Sequence, residues 1–272
     1  MKVKLTESQH KSLLEFQKRA YSFDWDDNIL FMPTKVYLDK RAGKGWVPVS
    51  VSTEEFAQIR GDIGKNIRYR NNSIVETFED FRSYESFIND TKEALRKKSF
   101  GPSFDKFKEA LINTHDFSII TARGNPPSAI KDSIKLIIST ILSDGEMETM
   151  ENNLGGTSVD QYLSLQDYYP VTSDDFMKEF GVESSATEPE MAKTVALRSF
   201  VDRVIGVVGK IKDDPEFTGV SIGYSDDDID NVEYVEEFIE STLKKLYPDI
   251  TFLVYDTSDP NKTKKKRIII KK

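Results

Sequence analysis

Short apolar runs separated by amphipathic segments dominate the pattern of this chain. Runs of strand length occur at "AYSFDW", "DFSII", "FTGVSIGYS" and "ITFLVYD". The second and third runs each lead, through a polar turn, into a segment whose apolar residues recur at helical spacing. Strands that alternate with helices predict an α/β fold with a parallel sheet and right-handed crossovers.

Helical patterns recur along the chain. Thr6 and Gln9 form a capping box at the start of one of them, while Gly181 and Pro248 mark the ends of two others. The predicted helices cover residues 6–19, 84–98, 103–113, 128–142, 173–180, 189–208 and 231–247.

The alternation of strands and helices is interrupted in two stretches. Residues 31–115 open with a hairpin, "KVYLDKRAGKGWVPVSV", which turns at "RAGKG" and leads into a helix that begins at Ser52 and Glu55. We interpret this stretch as an inserted module. Residues 144–170 are polar, with "NNLGGTS" at their centre, and we expect an irregular excursion, a candidate second insertion, that recovers a strand near "YLSLQDYY".

Composition limits the chemistry that is available. The chain has 272 residues, of which 38% are hydrophobic and 31% charged, enough for one good core without crosslinks. It contains no cysteine, which excludes disulfides, thiolate metal sites and a thiol nucleophile. The longest apolar runs fall short of the roughly 20 residues of a membrane span, and the N-terminus lacks a signal-peptide pattern. We therefore expect a cytoplasmic protein without a membrane segment.

The net charge of −8 hides an asymmetry. The last twelve residues, "NKTKKKRIIIKK", carry seven basic groups and no acid, so the remaining 31 basic and 46 acidic groups give a balance of −15. An acidic body repels polyanions, which favours a small substrate over nucleic acid as a partner. For the tail we prefer an edge strand guarded by lysines, "KRIIIK", over a nucleic-acid contact.

Polar residues stand where the predicted strands end. Asp24 and Asp26 follow "YSF", and Thr121 follows "FSII". Lys193 lies near the start of the predicted helix 189–208, and three acids, Asp226, Asp227 and Asp228, follow "VSIGYS". Ligands of open α/β sheets bind outside the carboxyl ends of the strands, so these residues are candidates for one shared site.

Such a site would suit phosphoryl transfer. Closely packed carboxylates need protons or a cation to relieve their repulsion, and oxygen ligands favour a hard ion such as Mg²⁺. The hydroxyl of Thr121, the backbone N–H groups of the "TARG" turn and the ammonium of Lys193 are all suited to phosphate oxygens. A carboxylate that attacks phosphorus would form an aspartyl-phosphate.

Four segments resemble, in order, the motifs of haloacid dehalogenase (HAD)-like hydrolases. "FDWDDNIL" is similar to the first motif, in which apolar residues precede Asp-x-Asp-x-Thr/Val, and "SIITARG" is similar to the second. "KTVAL" resembles the lysine-bearing helix start of the third motif, and "VSIGYSDDD" resembles the acidic fourth. The resemblance implies a Rossmann-like three-layer core, residues 1–30 and 116–272, with residues 31–115 as a C1-type cap of mixed α/β or mostly helical structure.

The resemblance also implies the activity of a magnesium-dependent phosphatase that acts on a small phosphorylated substrate. Asp24 would be the nucleophile and a Mg²⁺ ligand. Asp26 would protonate the leaving oxygen and then activate water, with its carbonyl on the metal. Asp226 and Asp227 would complete the metal site, although a strand that ended one residue later would pass these roles to Asp227 and Asp228.

The second and third motifs would bind the phosphoryl group. Its contacts would come from Thr121, Ala122, Arg123 and Lys193. Lys210 and Lys212 are rivals for the lysine role, and we prefer Lys193 because the family's lysine opens a helix. A smaller hypothesis gives Arg123 and Asn125 a contact near the phosphate or a role in stabilising the turn, and gives substrate contacts to Trp46, Tyr69 and Arg70.

The first motif departs from the family at two positions, because Asp27 and Asn28 stand where a small residue and Thr are common. Taken singly, the acids at residues 226–228 could be helix caps and Thr121 a turn hydroxyl. The order of the acids disfavours a receiver domain, and the absence of G-x-x-x-x-G-K-[ST] disfavours a P-loop enzyme. The remaining alternative is a catalytically silent HAD-like binding module that contacts partners through the cap and the basic tail.

Overall fold

A six-stranded sheet forms the centre of the molecule. The computed structural model describes residues 16–182, 189–209, 217–259 and 262–268. The strand order is β6-β5-β1-β7-β8-β9, and all neighbours are parallel except β8 and β9. The strands are β1 (Phe16–Phe23), β5 (Asp116–Thr121), β6 (Asp167–Pro170), β7 (Phe217–Asp226), β8 (Thr251–Asp256) and β9 (Lys264–Ile268). The predicted α/β fold with a mostly parallel sheet is confirmed.

Helices follow most of the strands. In the described residues they are α1 (Thr53–Ile59), α2 (Ile74–Thr77), α3 (Tyr84–Lys97), α4 (Phe104–Ile112), α5 (Pro127–Ile141), α6 (Asp144–Leu154), α7 (Val159–Ser164), α8 (Asp174–Phe180), α9 (Pro189–Val208), α10 (Ile229–Phe238) and α11 (Lys244–Leu246). A π-helical turn, Ile239–Leu243, joins the last two. The predicted starts and ends of α3, α4, α5, α8 and α9 agree with these bounds to within about two residues.

The two faces of the sheet are buried in two apolar clusters. Successive side chains of a strand point to opposite faces. Phe23 and Phe117 pack on one face with residues of α3, α4 and α5, while Ala20 and Ile120 pack on the other with residues of α9 and α10. Burial on both faces explains the apolar run of β5, whereas β1 is buried from Ala20 to Phe23 and carries polar residues before them.

A second, antiparallel sheet has the order β3-β2-β4 and consists of β2 (Val36–Ala42), β3 (Gly45–Val51) and β4 (Ile67–Tyr69). The predicted hairpin is confirmed, and Gly43 at its turn has a φ of +60°. Ser52 and Glu55 form the predicted capping box of α1. This sheet has a small apolar cluster of its own around Leu38. Phe81 is the member of this cluster that lies furthest along the chain.

Helices α3 and α4 do not belong to that small cluster. Phe87 and Leu95 of α3, with Phe107 and Leu111 of α4, are buried beside the large sheet. Of the stretch 31–115, only about residues 36–81 therefore pack as a separate unit. The boundary of the inserted module at residue 115 stays a prediction.

Two predictions of local structure were wrong. Residues 16–19 belong to β1 rather than to the predicted N-terminal helix, whose residues 6–15 lie outside the described part of the chain. Residues 144–170 are regular rather than irregular, since they form α6 and α7, which begin with capping boxes at Ser143 and Ser158. The strand predicted near "YLSLQDYY" is present as β6 at the end of that segment. Met150 and Leu163 anchor these helices in the core.

The basic tail forms the edge strand β9 over residues 264–268, antiparallel to β8, and Lys264 pairs with Asp256 at 3.0 Å. The exposed side chains of Lys264 and Lys265 place charge at this edge, as expected for a guarded strand. Residues 269–272 lie outside the description. None of the described helices is both long enough and apolar enough to cross a membrane.

Candidate active site

One cavity of about 330 Å³ brings the predicted site residues together. It opens at the carboxyl ends of β1, β5 and β7, the three adjacent strands at the centre of the sheet. The predicted residues that line it are Asp24, Asp26, Thr121, Ala122, Arg123, Lys193, Asp226 and Asp227. Residues that are up to about 200 positions apart in the chain thus share one concave site.

Lys193 is in direct contact with two of the predicted site residues, Asp24 and Asp226. Its Nζ atom donates hydrogen bonds to Oδ1 of Asp24 at 2.7 Å and to Oδ2 of Asp226 at 2.8 Å. All three side chains are almost completely buried, and that of Lys193 is 2% exposed. Burial lowers the pKa of Lys193, but the charges of Asp226 and Asp24 outweigh it and hold the pKa above its ordinary value. Lys193 is therefore a permanent cation between the two carboxylates.

Asp226 has four hydrogen-bond donors in the described structure. Oδ2 accepts from Lys193 and, at 2.6 Å, from the hydroxyl of Tyr224, while Oδ1 accepts at 3.1 Å from both the Asp228 N–H and Asn231 Nδ2. A carboxylate oxygen accepts about two hydrogen bonds, so both oxygens are saturated. This geometry suits Asp226 to holding Lys193 in place.

Sequence reasoning missed Tyr224 and Asn231 as part of this arrangement. Tyr224 lies two positions before Asp226, on the same face of β7, and this spacing was visible in the sequence. Asn231 lies in the first turn of α10 and was not distinguishable from an ordinary helix residue.

Three carboxylates lie close enough to share a cation. One oxygen each from Asp24, Asp226 and Asp227 fall within 4.8 Å of one another. Burial raises the pKa of Asp24 well above its ordinary value, although Lys193 acts against it. Burial and the charges of Asp24 and Asp226 raise the pKa of Asp227 to about 9. A divalent ion would relieve this repulsion, and the all-oxygen donor set fits Mg²⁺.

Asp228 has a different position. Its side chain accepts a hydrogen bond from the Asp230 N–H at 3.0 Å and caps α10. The geometry therefore favours Asp226 and Asp227 over the alternative pair Asp227 and Asp228 as companions of Asp24.

Asp26 is held apart from this cluster by Arg123. The guanidinium donates from Nε to Oδ2 at 2.7 Å and from Nη2 to Oδ1 at 2.6 Å, so the pair is bidentate. Nη2 also donates to the hydroxyl of Thr34 at 2.6 Å. The rings of Phe81 and Phe87 lie 4.6 and 5.0 Å from the guanidinium carbon, and Arg123 is 1% exposed. Its donors orient Asp26, and the predicted contact of Arg123 with phosphate stays a prediction.

Asn28 links three strand ends through its side-chain amide. It is completely buried, and its Nδ2 donates to the carbonyl of Asp24 at 3.0 Å and to Ser225 Oγ at 3.0 Å, while its Oδ1 accepts from Thr257 at 2.9 Å. One amide therefore ties together the ends of β1, β7 and β8. The preceding residue, Asp27, has a φ of +53°, a conformation that aspartate adopts more readily than most residues.

The turn after β5 is anchored to the segment before α3. The Gly124 N–H donates to the carbonyl of Phe81 at 3.0 Å, and Asn125 Nδ2 donates to the carbonyl of Ser83 at 2.7 Å. A Cβ atom on Gly124 would lie 3.3 Å from Arg82 and Thr172, so the close approach favours glycine. Asn125 thus stabilises the turn, the second of its two predicted roles.

Several candidates are not brought to the cavity. Trp46, Tyr69 and Arg70 are absent from its described lining, and Arg68 stacks over Trp46 at 4.5 Å. The small-sheet region instead contributes the lining residues Thr53, Phe56, Ile74, Phe78 and Phe81. Lys210 and Lys212 lie outside the described residues.

The assembled groups offer a buried carboxylate beside a fixed cation, a possible divalent-ion site and a threonine hydroxyl, at the base of a partly aromatic cavity. Comparison of the chain with protein-family models, with curated proteins and with solved structures found no significant match.

Proposed function

We propose that the protein is a magnesium-dependent phosphohydrolase of the HAD-like type, which cleaves phosphate monoesters through an aspartyl-phosphate on Asp24. The observation that carries the proposal is the contact of Lys193 with both Asp24 and Asp226 in the cavity that Thr121 also lines. A buried cation that touches the nucleophile can also neutralise a phosphoryl oxygen as the group approaches.

The reaction has two halves. An oxygen of Asp24 attacks phosphorus, the bond between phosphorus and the ester oxygen breaks, and the alcohol leaves after it takes a proton. Water then attacks the aspartyl-phosphate, gives up a proton, and releases inorganic phosphate with Asp24 regenerated. Lys193 balances charge on Asp24 and on the phosphoryl oxygens in both halves, and the hydroxyl of Thr121 donates to one of those oxygens.

Asp26 is the proposed proton carrier, and its contact with Arg123 sets a condition on that role. Both carboxylate oxygens accept hydrogen bonds from the guanidinium. One of these contacts must open before an oxygen of Asp26 can carry the proton that the leaving group takes. In the second half Asp26 would accept the proton that water gives up.

The proposed metal site uses Asp24 and Asp227, with Asp226 as the third carboxylate. No hydrogen bond to the Asp227 carboxylate or to Oδ2 of Asp24 comes from the described part of the chain, so these atoms fit a cation better than the saturated Asp226 does. A bound Mg²⁺ would polarise the phosphoryl oxygens and neutralise part of their charge.

The cap is also part of the proposal. The separate packing of about residues 36–81 and their contribution of Phe56, Phe78 and Phe81 to the cavity wall support a covering module over the core. Cap, core and phosphatase activity are thus proposed together.

Hydrolysis of p-nitrophenyl phosphate, with and without Mg²⁺, tests the proposal. We expect turnover that requires Mg²⁺ and falls by at least about a thousandfold in D24N, because the amide cannot act as the nucleophile. D105N removes an exposed acid at the start of α4 and is the matched control, with an expected change below about twofold. Retained activity in D24N would exclude Asp24 as the nucleophile. The absence of turnover on a broad panel of phosphate esters would support the alternative of a silent binding module.

A further inference from the structure

Three phenylalanine rings form one cluster in the wall of the cavity. The ring centroids of Phe56 and Phe78 are 5.4 Å apart at an interplanar angle of 84°, and those of Phe78 and Phe81 are 5.7 Å apart at 80°. Edge-to-face contacts of this kind are favourable and hold the rings in a defined arrangement. We call these residues the phenylalanine cluster.

The phenylalanine cluster is fixed to the catalytic end of the cavity. The ring of Phe81 lies against the guanidinium of Arg123, which holds Asp26, and the carbonyl of Phe81 accepts a hydrogen bond from the Gly124 N–H. The loop proposed to bind phosphate and the aromatic wall are therefore in direct contact. A phosphoryl group near Thr121 would have its leaving group beside these rings.

The rings of the phenylalanine cluster offer no hydrogen-bonding group. Beside them, Thr53 Oγ1 donates to Asp27 at 3.2 Å, and Arg82 Nη1 lies 3.9 Å from Asp174, an ion pair beyond hydrogen-bond distance. A sugar or polyol packed on the rings would lose hydrogen bonds to water without replacement on that face, whereas an aromatic ring would bury apolar surface and add edge-to-face contacts.

The size of the cavity limits the leaving group. At about 330 Å³ it is near the lower end of the roughly 300–1,000 Å³ usual for small-molecule sites, so it fits a phosphoryl group with about one ring.

We propose that the substrates are monophosphate esters of alcohols that carry one aromatic ring, and that this ring packs against the phenylalanine cluster. The inference rests on the proposed phosphohydrolase function, since it names the substrate class of the same site. The reaction releases the aromatic alcohol, with one proton on its oxygen, and inorganic phosphate.

Benzyl phosphate and glycerol 3-phosphate provide the kinetic test. Both release alcohols of similar basicity, so the ratio of their kcat/KM values measures recognition of the leaving group rather than its reactivity. We expect benzyl phosphate to be favoured at least about tenfold, and cyclohexylmethyl phosphate to be intermediate, because it is apolar but lacks the ring quadrupole. Equal kcat/KM for benzyl phosphate and glycerol 3-phosphate would overturn the proposal, and equal values for the two cyclic esters would overturn its aromatic part.

Variants of Phe78 locate the effect. F78A should lower the benzyl-to-glycerol ratio about tenfold, and F78L, which keeps most of the bulk, should lower it about threefold. V75A is the matched control, because Val75 is 60% exposed on the neighbouring helix α2 and is not in the described lining of the cavity. An unchanged ratio in F78A and F78L would contradict the assigned contact.

A binding measurement separates this inference from the catalytic proposal. Calorimetry with Mg²⁺ should show that benzylphosphonate binds at least about tenfold more tightly than methylphosphonate, and that F78A removes most of the difference. If no ester is hydrolysed but this preference is present, the phosphohydrolase function fails and the aromatic site stands. If esters are hydrolysed without the preference, the aromatic site fails and the function stands.

Discussion

Replacement of Lys193 by methionine tests how much the contacts of Lys193 with Asp24 and Asp226 contribute to the free energy of unfolding. The Lys193 side chain is 2% exposed, and its Nζ atom lies 2.7 and 2.8 Å from oxygens of two carboxylates. With an effective dielectric constant of about 20, each contact corresponds to roughly 6 kcal/mol of Coulomb attraction. Burial of the three charges offsets most of this, and the loss of one member of a buried ion pair costs about 3–5 kcal/mol. We expect K193M to lose that much stability without Mg²⁺.

Urea denaturation followed by circular dichroism at pH 7 measures this loss, provided that the transition is two-state. K97M is the matched control, since Lys97 is half exposed and pairs with Glu93 on the surface, and it should change stability by less than about 1 kcal/mol. The double variant K193M/D24N removes one stranded charge and should recover part of the loss. A loss below about 1 kcal/mol in K193M would show that the buried contacts of Lys193 contribute little to stability.

Three further predictions follow from neighbouring contacts. N28A should destabilise the protein by about 2–3 kcal/mol in urea denaturation, because buried hydrogen-bonding partners such as Thr257 lose the amide; a loss below about 0.5 kcal/mol would contradict this. R123K should lower kcat about tenfold with a smaller change in KM, because lysine cannot make the bidentate contact that orients Asp26; an unchanged kcat would exclude that role. The pKa of Asp227 rises from 3.8 to about 9 on folding, so its contribution to stability is complete below about pH 4 and is lost as the pH rises toward 9. Without Mg²⁺, the stability advantage of D227N over the parent protein should therefore grow between pH 4 and 9, and thermal unfolding that shows no such trend would count against the shift.

The elements that could be predicted from the sequence are those with local signals. The apolar runs of β5, β7 and β8 and the periodicity of α5 and α9 identified the alternating architecture, and residues at strand ends identified the cavity. Residues 16–19 were predicted wrongly because the first half of β1 contains three consecutive polar residues, Gln17 to Arg19, which continue a helical pattern and lack the apolar alternation of a strand. The helices of residues 144–170 were missed because their composition is polar, although both begin with capping boxes.

The contacts that organise the site had no local signal. Arg123 reaches Asp26 across 97 positions, and Asn28 reaches Ser225 across 197 and Thr257 across 229. The sequence identified Asn28 only as a departure from a motif, whereas the fold makes it the link between three strand ends. The phenylalanine cluster was missed for the same reason, since its rings come from separate short segments.

The proposed function depends on the phosphorylation of Asp24 during turnover. The protein can be mixed with p-nitrophenyl phosphate and Mg²⁺, quenched during steady state with borohydride, which reduces an acyl phosphate to an alcohol, and mapped by peptide mass spectrometry. We predict that the peptide containing Asp24 carries homoserine at that position, and that the modification is absent without Mg²⁺ or without substrate. Modification at another carboxylate, or continued turnover with none at Asp24, would show that Asp24 is not the nucleophile.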